Sequence, residues 1–307
     1  MLSRSDFILF QASLLDGIGP KTLEKLADRA IDCDDLRTLA SADARLDKAL
    51  KKNPDVVSLA EEQLEKAAAQ NIVLLTRNSS NYPRLLTKTP DSPYFIFAKG
   101  NLEALNNLNI AIVGSRVASE RSIKISERLA RHCVSRDYVV LSGLAEGCDW
   151  AAHLGALNAG GTTTAILPHG IISRVSKERL SLMDRIADEG GVLVSQFGLT
   201  AAPNKGSFIL RDKVQAGVSS LTILIESKLD GGSLHACRAS ISYGRRLGVV
   251  EAEQGGEMNA NKMLLGGDEI SQSKMLGCSI QDLDRVFGLR SKNDYPLIDS
   301  SALQSGQ

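Results

Sequence analysis

The stretch NIAIVGSRVASERSIKISERLA, residues 109–130, decides the fold. Ile110 to Val113 form an unbroken apolar run, which ends in Gly114-Ser115-Arg116 and is followed by a segment of helical period. A strand with no polar face is buried on both sides, as the strands of a parallel sheet are. Downstream the pattern recurs in DYVVLSG (137–143), GTTTAILP (161–168), GGVLVSQF (190–197), SLTILIES (220–227) and RLGVVEA (246–252). The segments between them, such as RSIKISERLARHCVS, CDWAAHLGALNAG and ERLSLMDRIADE, have helical period. Strand–helix alternation of this kind predicts an α/β fold, a doubly wound and mostly parallel sheet.

Upstream the period differs. RSDFILFQASLL, DGIGPKTLEKLADRA and VVSLAEEQLEKAAAQN predict a small helical domain over residues 1–70. Two strands, NIVLLT and YFIFAKG, then lead into the α/β domain, taken as 71–273. The remainder, 274–307, predicts one short helix, SIQDLDRVFGL, and a frayed polar tail.

Lys+Arg and Asp+Glu are equal at 36 each, so bulk charge selects no acidic partner and any polyanion must be met by a local patch. The five cysteines are odd in number and include no C-x-x-C pair, which predicts free thiols in a reducing compartment. The N-terminal run lacks a leader cleavage pattern, and no apolar run reaches transmembrane length. The expectation is a cytoplasmic protein with no membrane partner.

In an open α/β sheet the ligand lies beyond the carboxyl ends of the strands. Those ends carry Gly114-Ser115-Arg116, Ser142-Gly143-Leu144, Pro168-His169-Gly170, Ser195-Gln196-Phe197 and Glu226 followed by LDGGSLHA. Glycines admit an anion close to the backbone, and Ser115, Ser233 and Arg116 add donors. Residues 110–136 hold six Lys/Arg against Glu120 and Glu127. NKGSFILRDK adds Lys205, Arg211 and Lys213 against Asp212. Lys205 and Phe208, on an expected loop, pair a phosphate cation with either a stacking surface or a core side chain. His153 and Trp150 are expected in the core, Asp149 as a helix N-cap, and Gly160-Gly161 and Gly190-Gly191 as helix C-caps. There is no G-x-G-x-x-G, Walker loop, G-x-S-x-G or metal-spaced histidine cluster, so no cofactor or metal is expected.

Taken together, NYPRLL…DSPYFIFAKG, IAIVGSR, VVLSGLAEGCDWAAHLGAL, GGTTTAILPHG, LVSQF, FILRDKVQAGVSSLTILIES, GGSLHACRAS and NKMLLGGDEIS resemble, in order and spacing, the DprA/Smf family of DNA-processing proteins. The resemblance implies an extended Rossmann-like domain that binds single-stranded DNA at the strand ends. It also implies a homodimer that helps load a RecA-type recombinase, without enzymatic activity. By motif, Gly114, Ser115, Arg116, Gly143, Lys205, Phe208, Arg211, Lys213, Gly232, Ser233 and Leu234 would line the DNA site. LLDGIGPKTLEKLA also resembles a helix-hairpin-helix. The sequence departs from the family at Glu146 in place of an arginine, at Arg211-Asp212-Lys213, at Gln196 and Gly198, and at Val250-Glu251-Ala252. A C-terminal winged helix carried by some members is not expected in these residues. Two of these departures bring acid toward a phosphate site. The other class left open is a nucleotide sensor or nucleotide-processing enzyme on a related sheet, although the P-G-G-x-G-T-x-x-E loop of the hydrolases is replaced by LDGGSLHACRA.

Overall fold

The structure, a computed structural model, describes residues 2–251 and 259–305. Five helices come first: α1 (Arg4–Ser13), α2 (Pro20–Ile31), α3 (Leu36–Ser41), α4 (Ala44–Lys52) and α5 (Val56–Ala68). Then follow β1 (Ile72–Thr76), α6 (Arg84–Thr87), β2 (Phe95–Gly100), β3 (Asn109–Val113), α7 (Glu120–Val134), β4 (Val139–Ser142), α8 (Cys148–Leu157), β5 (Thr163–Ile166), α9 (Lys177–Asp188) and β6 (Val192–Ser195). The chain closes with α10 (Lys205–Val218), β7 (Leu221–Leu224), α11 (Leu234–Ser242), β8 (Arg246–Val250), α12 (Ala260–Gly266), α13 (Glu269–Leu276), β9 (Val286–Leu289) and α14 (Tyr295–Ser305).

All nine of these strands form one sheet, ordered β1-β2-β6-β5-β4-β3-β7-β8-β9. From β6 to β9 every pairing is parallel, while β1 and β2 add an antiparallel edge. The chain winds outward from β3 through β4, β5 and β6, then returns to β7 on the other side of β3. That reversal is the topological switch point, where such sheets open a crevice. Both faces are covered: Ile110 and Ile112 pack with α7 and α8, while Ala111 packs with Val214 and Val218 of α10. The period-2 split of one strand between two cores explains why its sequence shows no polar face.

The N-terminal helices do not close a core of their own. Phe10 of α1 meets Phe95 and Phe97 of the sheet edge, with ring centroids 5.5 and 5.9 Å apart, and one apolar cluster spans α1–α5, β2 and α9. The segment resembling a helix-hairpin-helix, residues 14–27, forms the turn after α1 and most of α2, with Gly17 at φ +81° in the turn and Gly19 as the N-cap of α2. Gly160 and Gly190 adopt positive φ after α8 and α9, as helix-terminating glycines do.

The C-terminal residues differ from expectation. SIQDLDRVFGL is a 3₁₀ turn, Gln281–Arg285, followed by β9, whose Leu289 pairs with Val250 of β8. The expected frayed tail is α14 through Ser305, with Ile298 and Ala302 fully buried against the α7 side of the sheet. An edge strand needs its neighbour to exist, and two apolar residues one turn apart are enough to dock a helix. Ala252, in the Val250-Glu251-Ala252 departure, lies outside the described residues.

Candidate nucleic-acid interface

The crevice at the β3/β7 switch point is walled by the β3–α7 loop, the β4–α8 turn, the first turns of α10 and the β7–α11 loop. Two adjoining cavities, of about 160 and 510 Å³, open there and share Arg116, Ala145, Phe208 and Arg211 in their walls. Close backbone approach sets the shape. An added Cβ on Gly114 would stand 2.5 Å from Cys148 Sγ, and Gly147, at φ +79°, lies against the carbonyls of Ser115 and Arg116. The Cys148 amide donates to Ser115 O at 3.2 Å, which locks the two turns together.

Arg116 is exposed, and its guanidinium lies 4.6 Å from the centroid of the half-buried Phe208 ring. A cation held over an aromatic face presents charge to a phosphate and a π surface to a base. Lys205 stands exposed in the same wall. The segment carrying them is not a loop: Asn204 and Ser207 form a capping box that starts α10 at Lys205, so Lys205 and Phe208 share one face three residues apart. Gly232 lies open on the opposite wall. Ser233 donates its hydroxyl to Ser227 Oγ at 2.9 Å, and Ser115 donates its own to Val117 O at 2.9 Å, so both hydroxyls hold loops in place.

Three expected contact residues are engaged by the protein itself, although Arg211 also lines both cavities. Arg211 is 5 % exposed; it donates to Gly143 O and, at 3.2 Å, to Ile166 O, and pairs with Asp212 at 2.9 Å. It braces the ends of β4 and β5, and Gly143 is required because a Cβ would overlap the guanidinium. Lys213 points away from the crevice to Asp91, 3.1 Å distant. Leu234 is fully buried with Val113 and Leu224. Sequence places residues along a helix, but only packing decides which of them face a cavity.

The acids resolve differently from one another. Asp149 is not an N-cap, since that position is Gly147; its carboxylate accepts the Gly143 amide at 3.1 Å. Burial raises its pKa to about 6, with Arg211 opposing and Asp212 reinforcing the rise. Burial also raises Asp212, opposed by Arg211. One cation thus compensates two buried acids, and Asp212 adds no free negative charge to the crevice. Glu226 accepts from the Ser119 amide and hydroxyl, each at 3.1 Å, at the N-terminus of α7. Burial would raise its pKa, but the hydroxyls of Ser122 and Ser119 and the Ser119 amide together hold it low. Glu146 alone stays exposed at the crevice wall. His153 is fully buried, with Nδ1 2.7 Å from Thr163 Oγ1, as expected of a core residue, whereas Trp150 is half-buried beside a groove.

Sequence reasoning missed Arg179, Lys228 and His235, which also line the cavities. Arg179 arrives on α9, after a long connection from β5 and outside any glycine-marked turn, whereas Lys228 opens the turn that Gly231 closes, a signal that could have found it. Among the described residues no cluster of His, Cys, Asp or Glu could hold a metal ion, and no helix is long and apolar enough to cross a membrane.

Comparison with known proteins is consistent with this geometry. The family described as DNA recombination-mediator protein A matches residues 73–273. Protein Smf of Escherichia coli K12 is 32 % identical over 174 residues, 57 % of this chain and 46 % of that protein. DNA processing protein DprA of Streptococcus pneumoniae R6 is 36 % identical over 164 residues, 53 % of this chain and 57 % of that protein. The chain spans about half the length of the curated relatives it matches. The X-ray structure of DprA from Streptococcus pneumoniae superposes with a TM-score of 0.69 at 25 % identity, covering 96 % of this chain and 98 % of that one. A DprA structure from Helicobacter pylori, described for its single-stranded DNA binding mode, shares the fold with a TM-score of 0.61 at 21 % identity, covering 75 % and 97 %.

Proposed function

The chain belongs to the DNA recombination-mediator protein A family, and on that premise we propose that it binds single-stranded DNA in the crevice at the β3/β7 switch point. One observation carries the reading: Arg116 stacked on Phe208 beside Lys205, a cation–aromatic pair in an open cleft. Phosphates would lie over Arg116, Lys205 and Lys228, with bases against the Phe208 ring. The binding role is non-enzymatic, and the protein works as a homodimer that delivers the strand to a RecA-type recombinase, a role supported by the family's description as a recombination mediator. It acts on DNA in the cytoplasm.

The nucleotide-sensor reading is less well supported, because the helix N-terminus that would hold a mononucleotide phosphate, that of α7, already carries the Glu226 carboxylate. Anisotropy titration of labelled single- and double-stranded oligonucleotides at two salt concentrations tests the proposal. Arg116→Ala is expected to weaken single-strand binding for every sequence and to reduce the salt slope by about 1. Absence of single-strand binding at low salt would reject the reading. Light scattering and a recombinase-loading assay test the homodimer and the delivery step.

A further inference from the structure

We propose that a groove beside the crevice receives one nucleobase and favours bases carrying an exocyclic amino group. The proposal rests on the single-stranded DNA reading above and adds base preference to it. The groove, about 390 Å³, lies between α7, α8 and the first turn of α9. Ile123, Ala151 and Leu154 supply apolar surface, and the half-buried Trp150 supplies an aromatic wall. Glu146 and Arg179 line this groove and also the smaller crevice cavity, so the two spaces share a wall.

Neither of those two side chains is occupied by the protein. Glu146 is exposed and makes no ion pair or hydrogen bond among the described residues. The Arg179 guanidinium likewise has no acceptor, and its Nε is buried without one. A guanidinium that lines two cavities and has no protein acceptor keeps its accessible donors for a ligand acceptor. The backbone that carries Glu146 is held in place. Its turn contains Leu144 at φ +56° and Gly147 at φ +79°, and it is pinned by the Gly143 amide on Asp149.

A carboxylate and a guanidinium left unpaired in one shared wall match a base edge that sets a donor next to an acceptor. Cytosine offers its N4 amino group beside N3, and guanine its N1 and N2 hydrogens beside O6. Carboxylates accept from the cytosine amino group and arginines donate to guanine acceptors in known readout. Thymine also sets its N3 hydrogen beside a carbonyl, but it has no amino group, and the carbonyl on the other side of that hydrogen would repel the carboxylate. Glu127 and Glu178 also border the groove, so phosphate is repelled from it and the backbone stays over Arg116 and Lys205. The glutamate that departs from the family arginine therefore reads a base instead of holding a phosphate.

Anisotropy titration with oligo(dC) and oligo(dT) of equal length tests this, using the full chain and the variants Glu146→Gln and Trp150→Leu. The intact protein is expected to favour oligo(dC) roughly tenfold, the scale of one well-read base. Glu146→Gln should bring the two within about twofold, and Trp150→Leu should weaken oligo(dC) binding about tenfold by removing the stacking face. Equal affinity of the intact protein for both oligomers, or a preference that survives Glu146→Gln, overturns the base-reading groove while leaving DNA binding intact. Failure of both oligomers to bind at low salt overturns the DNA reading and this inference together.

Discussion

At the ends of β4 and β5 the Arg211 guanidinium sits between two carbonyls and two buried carboxylates, Asp149 and Asp212, so its charge serves the fold. Arg211→Met is expected to leave Asp149 without its countercharge and Asp212 with only the weaker pull of Arg116, and to cost about 3–5 kcal/mol, read from the urea unfolding midpoint. The Asp149 carboxyl gives a pH signature. Its pKa is 3.8 ordinarily and about 6 when folded, so the native protein keeps a proton that the unfolded chain releases. Stability from this group is full below pH 3.8 and declines as pH rises through about 6; Asp149→Asn should flatten that part of the stability profile. Arg116, Lys205 and Phe208 were legible as site candidates because their chemistry is local to a strand end or a short segment. Arg211, Lys213 and Leu234 carry the same motif credentials, yet their surroundings come from residues far off in the chain.

Elements show the same division. The strands β3 to β8 declare themselves because burial on both faces leaves them almost without charged residues, Arg246 at the start of β8 being the exception. β9 does not, since three of its four residues are only half-buried at the sheet edge. Helix α14 hides in a polar sequence and docks through Ile298 and Ala302. Ile298→Ala should cost about 2–4 kcal/mol if α14 is integral to the sheet, measured by denaturant unfolding. The expected loop carrying Lys205 and Phe208 is a helix because Asn204 and Ser207 cap each other, a signal shorter than the window over which periodicity is read.

Across the whole molecule, the helical region and the sheet share one apolar cluster through Phe10, Phe95 and Phe97. Unfolding is therefore expected to be a single transition when followed by both far-UV circular dichroism and Trp150 fluorescence. Phe10→Ala should lower its midpoint, costing about 3–5 kcal/mol, without separating the two probes. A helical region that melts ahead of the sheet would contradict the shared core. The sequence by itself determined the strand–helix alternation, the parallel sheet and the family, because each follows from residue type at short spacing. Tertiary structure alone decided which cations face the crevice, which acids are neutralised and that Glu146 and Arg179 meet at one wall. Those properties depend on burial and distance between residues brought together from different parts of the chain, and no local pattern encodes them.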